Sequence, residues 1–251
     1  MKIRKKNLAF FGGKKAITYK SPHWKWPPFS KEKYDSIKSY YLSGEKKNKK
    51  GYPKIVEVFE KNFKKYQKTK YALSTNSGTS ALQAAFFAIG LKEGDEVIAP
   101  ALTFHATATP IFSTNATPVI ADCKSDTGNI DPKSIKKLIT RRTKAIVITH
   151  LCGHPCDMDE ILKIKRKKKL FLIEDCSHAH GSTYKGKKVG SFGDIGCFSL
   201  DNNKLLAAGE GGVLVTNNKN FFERALLASD FAGRLQNEVK ISNNVIYKDT
   251  G

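Results

Sequence analysis

From residue 54 onward, short apolar runs alternate with amphipathic stretches. Ile55, Val58, Phe59 and Phe63 recur at helical spacing and predict a helix leading into a folded core. An Ala-rich helix is expected over 79–89, stopped by Gly90. The runs at 97–99 and 118–121 read as strands, 130–139 as a helix, 144–149 as a strand, 159–168 as a helix and 170–173 as a strand. Two closely spaced strands, 195–200 and 212–216, precede a last helix over 221–229, after which the period fades.

Such alternation predicts an α/β fold with a mostly parallel central sheet between helix layers. Residues 1–53 differ. They are rich in Lys, Pro, Ser and aromatics, as in Ser21-Pro22-His23-Trp24-Lys25-Trp26-Pro27-Pro28, and read as an N-terminal arm with one short helix near 32–42. The expected large domain therefore runs over 54–251.

The formal charge of +21 raises the question of nucleic acid. Only 6 of the 44 basic residues are Arg, the residue suited to bidentate phosphate and base recognition, and the 38 Lys are scattered. Runs such as Lys46-Lys47-Asn48-Lys49-Lys50 and 163–169 fit exposed turns and outer helix faces, so a solvated surface is expected and no nucleic-acid partner. The positive field still suits an anionic, phosphate-bearing substrate. Five cysteines, an odd number, fit free thiols in a reducing cytoplasm. The apolar stretch Leu8-Ala9-Phe10-Phe11 ends at Gly12, too short for a signal-peptide core, and no run approaches the ~18 residues of a membrane helix.

In a parallel α/β sheet, ligands collect beyond the carboxyl ends of the strands. Four segments there carry polar groups: Ser77-Gly78-Thr79-Ser80, Thr103-Phe104-His105, 174–181, and 198–204 with Gly209-Glu210-Gly211-Gly212. The first opens a helix whose free N–H groups can hold a phosphate, although a plain N-cap by Ser77 or Thr79 explains the same residues. Asp175 follows an apolar strand and needs a cationic partner, either a protonated ring nitrogen or a neighbouring Lys. Lys204 lies five residues beyond Ser199, which brings its amine to the same crevice; a surface lysine is the plain alternative.

Taken together these segments resemble the DegT/DnrJ/EryC1/StrS family of pyridoxal-phosphate (PLP) enzymes, sugar aminotransferases of the fold-type-I, aspartate aminotransferase-like architecture. The resemblance runs from about Trp26 to Gly251. Its most specific stretches are Ser77-Gly78-Thr79-Ser80-Ala81-Leu82, Gly94-Asp95-Glu96-Val97-Ile98, Thr103-Phe104-His105-Ala106-Thr107-Ala108, Gly190-Ser191-Phe192-Gly193-Asp194, the Ser199 to Lys204 spacing and Gly209-Glu210-Gly211-Gly212. It implies that Lys204 forms the Schiff base, that Asp175 pairs with the pyridine nitrogen, and that His178 lies near the ring's phenolic oxygen. It further implies that Gly78, Thr79 and Ser199 bind the phosphate and that Phe104 stacks on the ring.

The chemistry implied is ping-pong transamination. A lysine amine is mostly protonated at neutral pH and a poor nucleophile, so a cofactor aldehyde holds it until an amine substrate displaces it. The freed Lys204 then moves a proton while Asp175 keeps the ring nitrogen protonated. Glutamate or glutamine would give the amino group, and a keto-sugar, nucleotide-linked, or a keto-cyclitol would receive it, in polysaccharide or aminosugar biosynthesis. A homodimer in the cytoplasm is implied as well.

Two departures stand out. Many members carry Phe-Gln where this chain has Leu200-Asp201, which puts a negative charge near the lysine. The family's C-terminal small domain would begin where this sequence stops, so that domain is expected to be absent. Two alternatives follow: a catalytically silent, truncated domain kept as an interaction partner, and a PLP-dependent sugar dehydratase. Lys204 speaks against the latter, because the deoxysugar dehydratases of the group carry His there. No metal site is expected. Cys152, His154 and Cys156 crowd into five residues without a second paired cluster, and His178-Ala179-His180 specifies no third ligand.

Overall fold

Short apolar runs such as Val97-Ile98-Ala99 and Ala145-Ile146-Val147-Ile148 become strands that are buried on both faces. The computed structural model describes residues 51–229 continuously, together with 9, 12–15, 18, 30–44 and 47–49. The aromatic arm segment 21–28 and everything beyond 229 lie outside the described residues. Seven strands form one sheet: β1 (Tyr71–Thr75), β2 (Glu96–Pro100), β3 (Thr117–Ala121), β4 (Thr143–Thr149), β5 (Phe171–Asp175), β8 (Ile195–Ser199) and β9 (Gly212–Thr216). The remaining pair, β6 (Thr183–Tyr184) and β7 (Lys187–Lys188), makes a separate hairpin.

The spatial order is β1-β9-β8-β5-β4-β2-β3. Strands β3, β2, β4, β5 and β8 run parallel, whereas β9 is antiparallel to both of its neighbours. This is the mostly parallel α/β sheet expected. The side-chain period of two divides it into two cores. Val97, Ala99, Ala145, Val147, Ile173 and Leu214 pack under α3 (Gly78–Ala88) and α6 (Lys219–Ser229). Ile98, Ile146, Ile148 and Leu172 pack under α4 (Pro132–Leu138) and α5 (Met158–Lys168). On that second side Ala72, Val213, Val215 and Phe198 gather with Phe63 of α2 (Lys54–Gln67).

Helix α1 (Lys31–Leu42) matches the short arm helix and buries no residue. Helix α2 departs from its expected stripe. Phe63 is buried, but Ile55 and Val58 are about half exposed, and the polar Glu60 and Gln67 are buried instead. Glu60 Oε1 accepts the Ser74 N–H at 2.8 Å, and Gln67 donates to the Val189 carbonyl. Strand β1 lies on the sheet edge, so a helix glutamate takes a backbone donor that has no strand beside it. The lysine run at 163–169 closes α5, where cations oppose the negative helix end, while Asp159 and Glu160 stand in its first turn. In the 183–188 hairpin Lys185 and Gly186 both take positive φ, 49° and 78°, as a two-residue turn of this hand requires.

Beneath the sheet's carboxyl end lies a carboxylate with no access to solvent. Glu174 Oε1 accepts N–H groups from Phe192 (2.7 Å) and Gly193 (2.6 Å), and Oε2 accepts from Gly190 N (2.7 Å) and His150 Nε2 (3.0 Å). His150 Nδ1 accepts the Cys156 N–H, which leaves the ring proton on Nε2 for Glu174. Burial alone would push the Glu174 carboxyl up, yet His150 and the backbone donors hold it below the ordinary value. Replacing Glu174 by Gln turns one acceptor into a donor that faces N–H groups. Glu174→Gln should lower unfolding stability by about 2–3 kcal/mol in chemical denaturation, with an unchanged denaturant slope.

Candidate active site

The carboxyl ends of β5 and β8 and the start of α3 meet in one crevice. Ser77 caps α3, its hydroxyl accepting the Ser80 N–H at 3.1 Å, and Gly78 is the first helical residue. A Cβ on Gly78 would lie 2.7 Å from Ser199 Cβ and 3.0 Å from its Cα, so only glycine lets the helix start rest on the end of β8. Thr79 is exposed beside it. Ser199 Oγ accepts the Asp201 N–H at 3.3 Å, which leaves its own proton free to donate. The arrangement brings the backbone N–H groups of the helix start close to the Ser199 hydroxyl, with Thr79 exposed beside them, and this suits a phosphate.

Asp175 ends β5 and is 4% exposed. Its Oδ2 accepts the Thr107 hydroxyl at 2.7 Å and its Oδ1 the Ser177 N–H at 3.0 Å. Both donors are neutral. Lys204 sits on the loop between β8 and β9, whose base is tied by Leu200 N to the Gly211 carbonyl and Ala208 N to the Leu200 carbonyl, each 2.8 Å. The Asp201 charge, a departure from the family pattern, is turned inward on its own loop: Oδ1 accepts the Asn203 N–H at 2.9 Å.

His178 lies half-buried, and burial lowers its pKa, with the Lys204 charge lowering it further and Asp175 opposing. It thus feels the amine and the acid together. Phe104 does not gain cover from the chain: it is 60% exposed, with its ring centroid 4.2 Å from that of His105.

Several residues here had no role assigned from sequence. Thr103, Thr107 and Thr149 converge under Asp175 from separate elements, and Glu174 with His150 holds the turn that precedes β8. The nearest sequence signal for these was the threonine repetition in Thr103-Phe104-His105-Ala106-Thr107. His150, Glu174 and Cys176 bring ligand-type atoms within 4.8 Å of one another. Both Glu174 oxygens already accept two donors each, and burial pushes the Cys176 thiol well up, so the cluster is a hydrogen-bonded packing unit. In the Cys152 to Cys156 segment, Cys152 is exposed while Cys156 is buried with its Sγ donating to the Thr149 carbonyl.

His180 adds a pH dependence. Among the described residues neither of its ring nitrogens makes a well-formed hydrogen bond, although the Ser199 backbone is close by, and its ring lies 5.5 Å from that of Phe198. Burial holds its pKa down to about 4, with the Lys204 charge adding to the drop and the nearby Ser199 backbone opposing it. The unfolded chain takes up the proton near 6.5 and the folded chain only near 4. Stability is therefore complete above about 6.5 and is lost as pH falls toward 4, by about 3 kcal/mol for this one group. The variant His180→Leu should flatten that acid limb in melting curves recorded between those pH values.

Comparison with known proteins agrees with this geometry. The pattern of the DegT/DnrJ/EryC1/StrS aminotransferase family matches residues 41–246. GDP-perosamine synthase of Escherichia coli O157:H7 is 46% identical over 171 residues, covering 68% of this chain and 47% of that protein. A putative L-glutamine:3-amino-2,3-dideoxy-scyllo-inosose aminotransferase of Micromonospora echinospora is 38% identical over 222 residues, 87% of this chain and 52% of its own length. The crystal structure of an aminotransferase from Psychrobacter cryohalolentis superposes with a TM-score of 0.75 at 39% identity, over 80% of this chain and 50% of that one. The chain thus spans about half the length of the curated relatives it matches. Its sheet is the fold-type-I one expected from the sequence, and the chain belongs to the DegT/DnrJ/EryC1/StrS aminotransferase family.

Proposed function

We propose that this chain is the PLP-binding part of a sugar aminotransferase, with residues 54–251 as its large domain and 1–53 as an arm. The observation that carries the reading is geometric. Asp175 ends β5, Ser199 ends β8 with the Lys204 loop following it, and the start of α3 rests through Gly78 on Ser199, so an acid, a hydroxyl, a helix N-terminus and a lysine loop come to one end of the sheet.

Bound there, PLP supplies an aldehyde that joins a primary amine and a conjugated ring that accepts the electron pair left when a substrate carbon loses its proton. The chain's residues do the rest. Gly78 N–H, the Thr79 hydroxyl and the Ser199 hydroxyl hold the phosphate. Asp175, buried and fixed by two neutral donors, keeps the proton on the ring nitrogen. His178 would interact with the ring's phenolic oxygen, and Phe104 with the ring face. Lys204 Nζ would hold the cofactor at rest and, once an amine substrate displaces it, would carry the proton taken from the substrate α-carbon.

The amino donor is glutamate or glutamine, and the acceptor is a nucleotide-linked keto-sugar or a keto-cyclitol, in polysaccharide or aminosugar biosynthesis. GDP-perosamine synthase and the scyllo-inosose aminotransferase among the relatives support this pair of acceptor classes. The working form is a cytoplasmic homodimer; the five cysteines are all free, which suits a reducing compartment.

Adding PLP to the purified chain should produce a yellow band that borohydride abolishes, fixing the label on the peptide that contains Lys204. The variant Lys204→Ala should show neither band nor label while melting at a similar temperature. A label on another lysine, or a chromophore unchanged in Lys204→Ala, would overturn the assignment, and no chromophore in the parent chain would favour a silent domain.

A further inference from the structure

Three hydroxyls cluster behind Asp175, each within 3.2 Å of the other two. Thr107 is fully buried on the short helical turn His105–Thr107, Thr149 is the buried last residue of β4, and Thr103 lies between β2 and that turn. Thr149 and Asp175 are register partners on adjacent strands, so both reach the same end of the sheet. The oxygen separations are 2.8 Å for Thr149 to Thr103, 2.7 Å for Thr103 to Thr107, 3.2 Å for Thr149 to Thr107, and 2.7 Å for Thr107 to Asp175 Oδ2.

Proton counting orders these contacts. An ionised carboxylate only accepts, so the Thr107 proton goes to Asp175. Thr107 must then accept, and its nearer partner is Thr103. Thr103, having donated, accepts from Thr149 across 2.8 Å. Three protons thus fill the three short contacts and leave the 3.2 Å contact without one. In each link the donor is polarised by the next, which strengthens the final bond to the carboxylate.

We propose that Thr107, fed by the Thr149 to Thr103 relay, is a positioning residue that fixes the Asp175 carboxylate against the cofactor's ring nitrogen. The proposal rests on the PLP reading above. Thr107 touches no reacting atom; it acts through Asp175. With Oδ1 held by the Ser177 N–H and Oδ2 by Thr107, the carboxylate cannot turn about its Cβ–Cγ bond without breaking one of two bonds. A valine in place of Thr107 would fill the same volume without a polar atom, so packing alone does not call for the hydroxyl.

The test uses the 251-residue chain and three variants, Thr107→Val, Thr107→Ser and Thr149→Val, each titrated with PLP by absorbance and then followed across pH. Thr107→Val should bind PLP about tenfold more weakly, the effect of one hydrogen bond to a charged group. The pH midpoint of its yellow band should rise by about one unit, because a ring nitrogen that has lost its positive charge no longer repels the chromophore's proton. Asp175, His178, His180 and Asp201, the other ionisable groups around Lys204, are unchanged in all three variants. Thr107→Ser restores the hydroxyl and should return both readings to within twofold and a few tenths of a pH unit of the parent, by the same bond arithmetic.

Thr149→Val, one link further back, should shift both in the same direction by less. A Thr107→Val protein with parental affinity and midpoint, even if it melts earlier, overturns the relay and leaves the cofactor reading intact. A parent chain without a chromophore overturns both. Should Thr107→Val fail to fold, an unmoved midpoint in Thr149→Val overturns the relay by itself.

Discussion

Two consecutive carboxylates at the buried end of one strand are the constraint around which this fold is arranged. Glu174 and Asp175 point to opposite faces of β5, as neighbours in a strand must, and both are almost wholly removed from water. Each would be costly to bury alone, so each calls for its own set of donors. Glu174 obtains three backbone N–H groups from the 190–193 turn and a fourth bond from His150. That turn leads into Asp194, which accepts the Leu172 N–H at 2.8 Å and the Lys165 ammonium at 3.0 Å, and so sets β8 in register against β5. Ser199 and the Lys204 loop lie where that register ends. The structural carboxylate on one face therefore aims the functional groups on the other.

Much of this was legible because buried parallel strands leave a strong trace. Strands β4, β5, β8 and β9 hold short apolar runs closed at once by polar residues, which is why Asp175 and Ser199 stand out as strand-end residues and Lys204 as the amine on the loop that follows; β2 instead runs on into Ala101 and Leu102. Strand β1, Tyr71–Thr75, left no such trace. It is short, ends in Ser74 and Thr75, and owes its state to pairing with β9 and to the glutamate beneath it. Helix α2 showed the right period but the wrong face, since Glu60 and Gln67 are buried by the backbone groups they serve. The threonine relay was out of reach for a different reason. Two of its three bonds span 46 and 68 positions, and a hydroxyl carries no periodic signal.

The charge of the chain reads more quietly in three dimensions than as a sum. Lys136, Lys163 and Lys185 pair with Glu160 or Asp159 on exposed ground, where such pairs add little stability. The cations that influence chemistry are few: Lys165 on Asp194 supports the sheet, and Lys204 depresses the pKa of two histidines in the crevice. A broad positive field around such a crevice concentrates anionic substrates without selecting among them.

Buried and exposed positions around the crevice differ in kind. The floor of the crevice is rigid: Gly78 against Ser199, Asp175 pinned on both oxygens, the lysine loop tied at Leu200. The residues that stand beyond that floor are exposed and apolar, with Leu102 at 53%, Phe104 at 60% and Leu205 at 65% exposure. Rigid, hydrogen-bonded positions tolerate few side chains, so they carry the marks of a family; exposed positions tolerate many, so they vary with substrate. The same contrast explains why the family can be read from the sequence, through positions such as Gly78 and Asp175 whose surroundings admit few side chains.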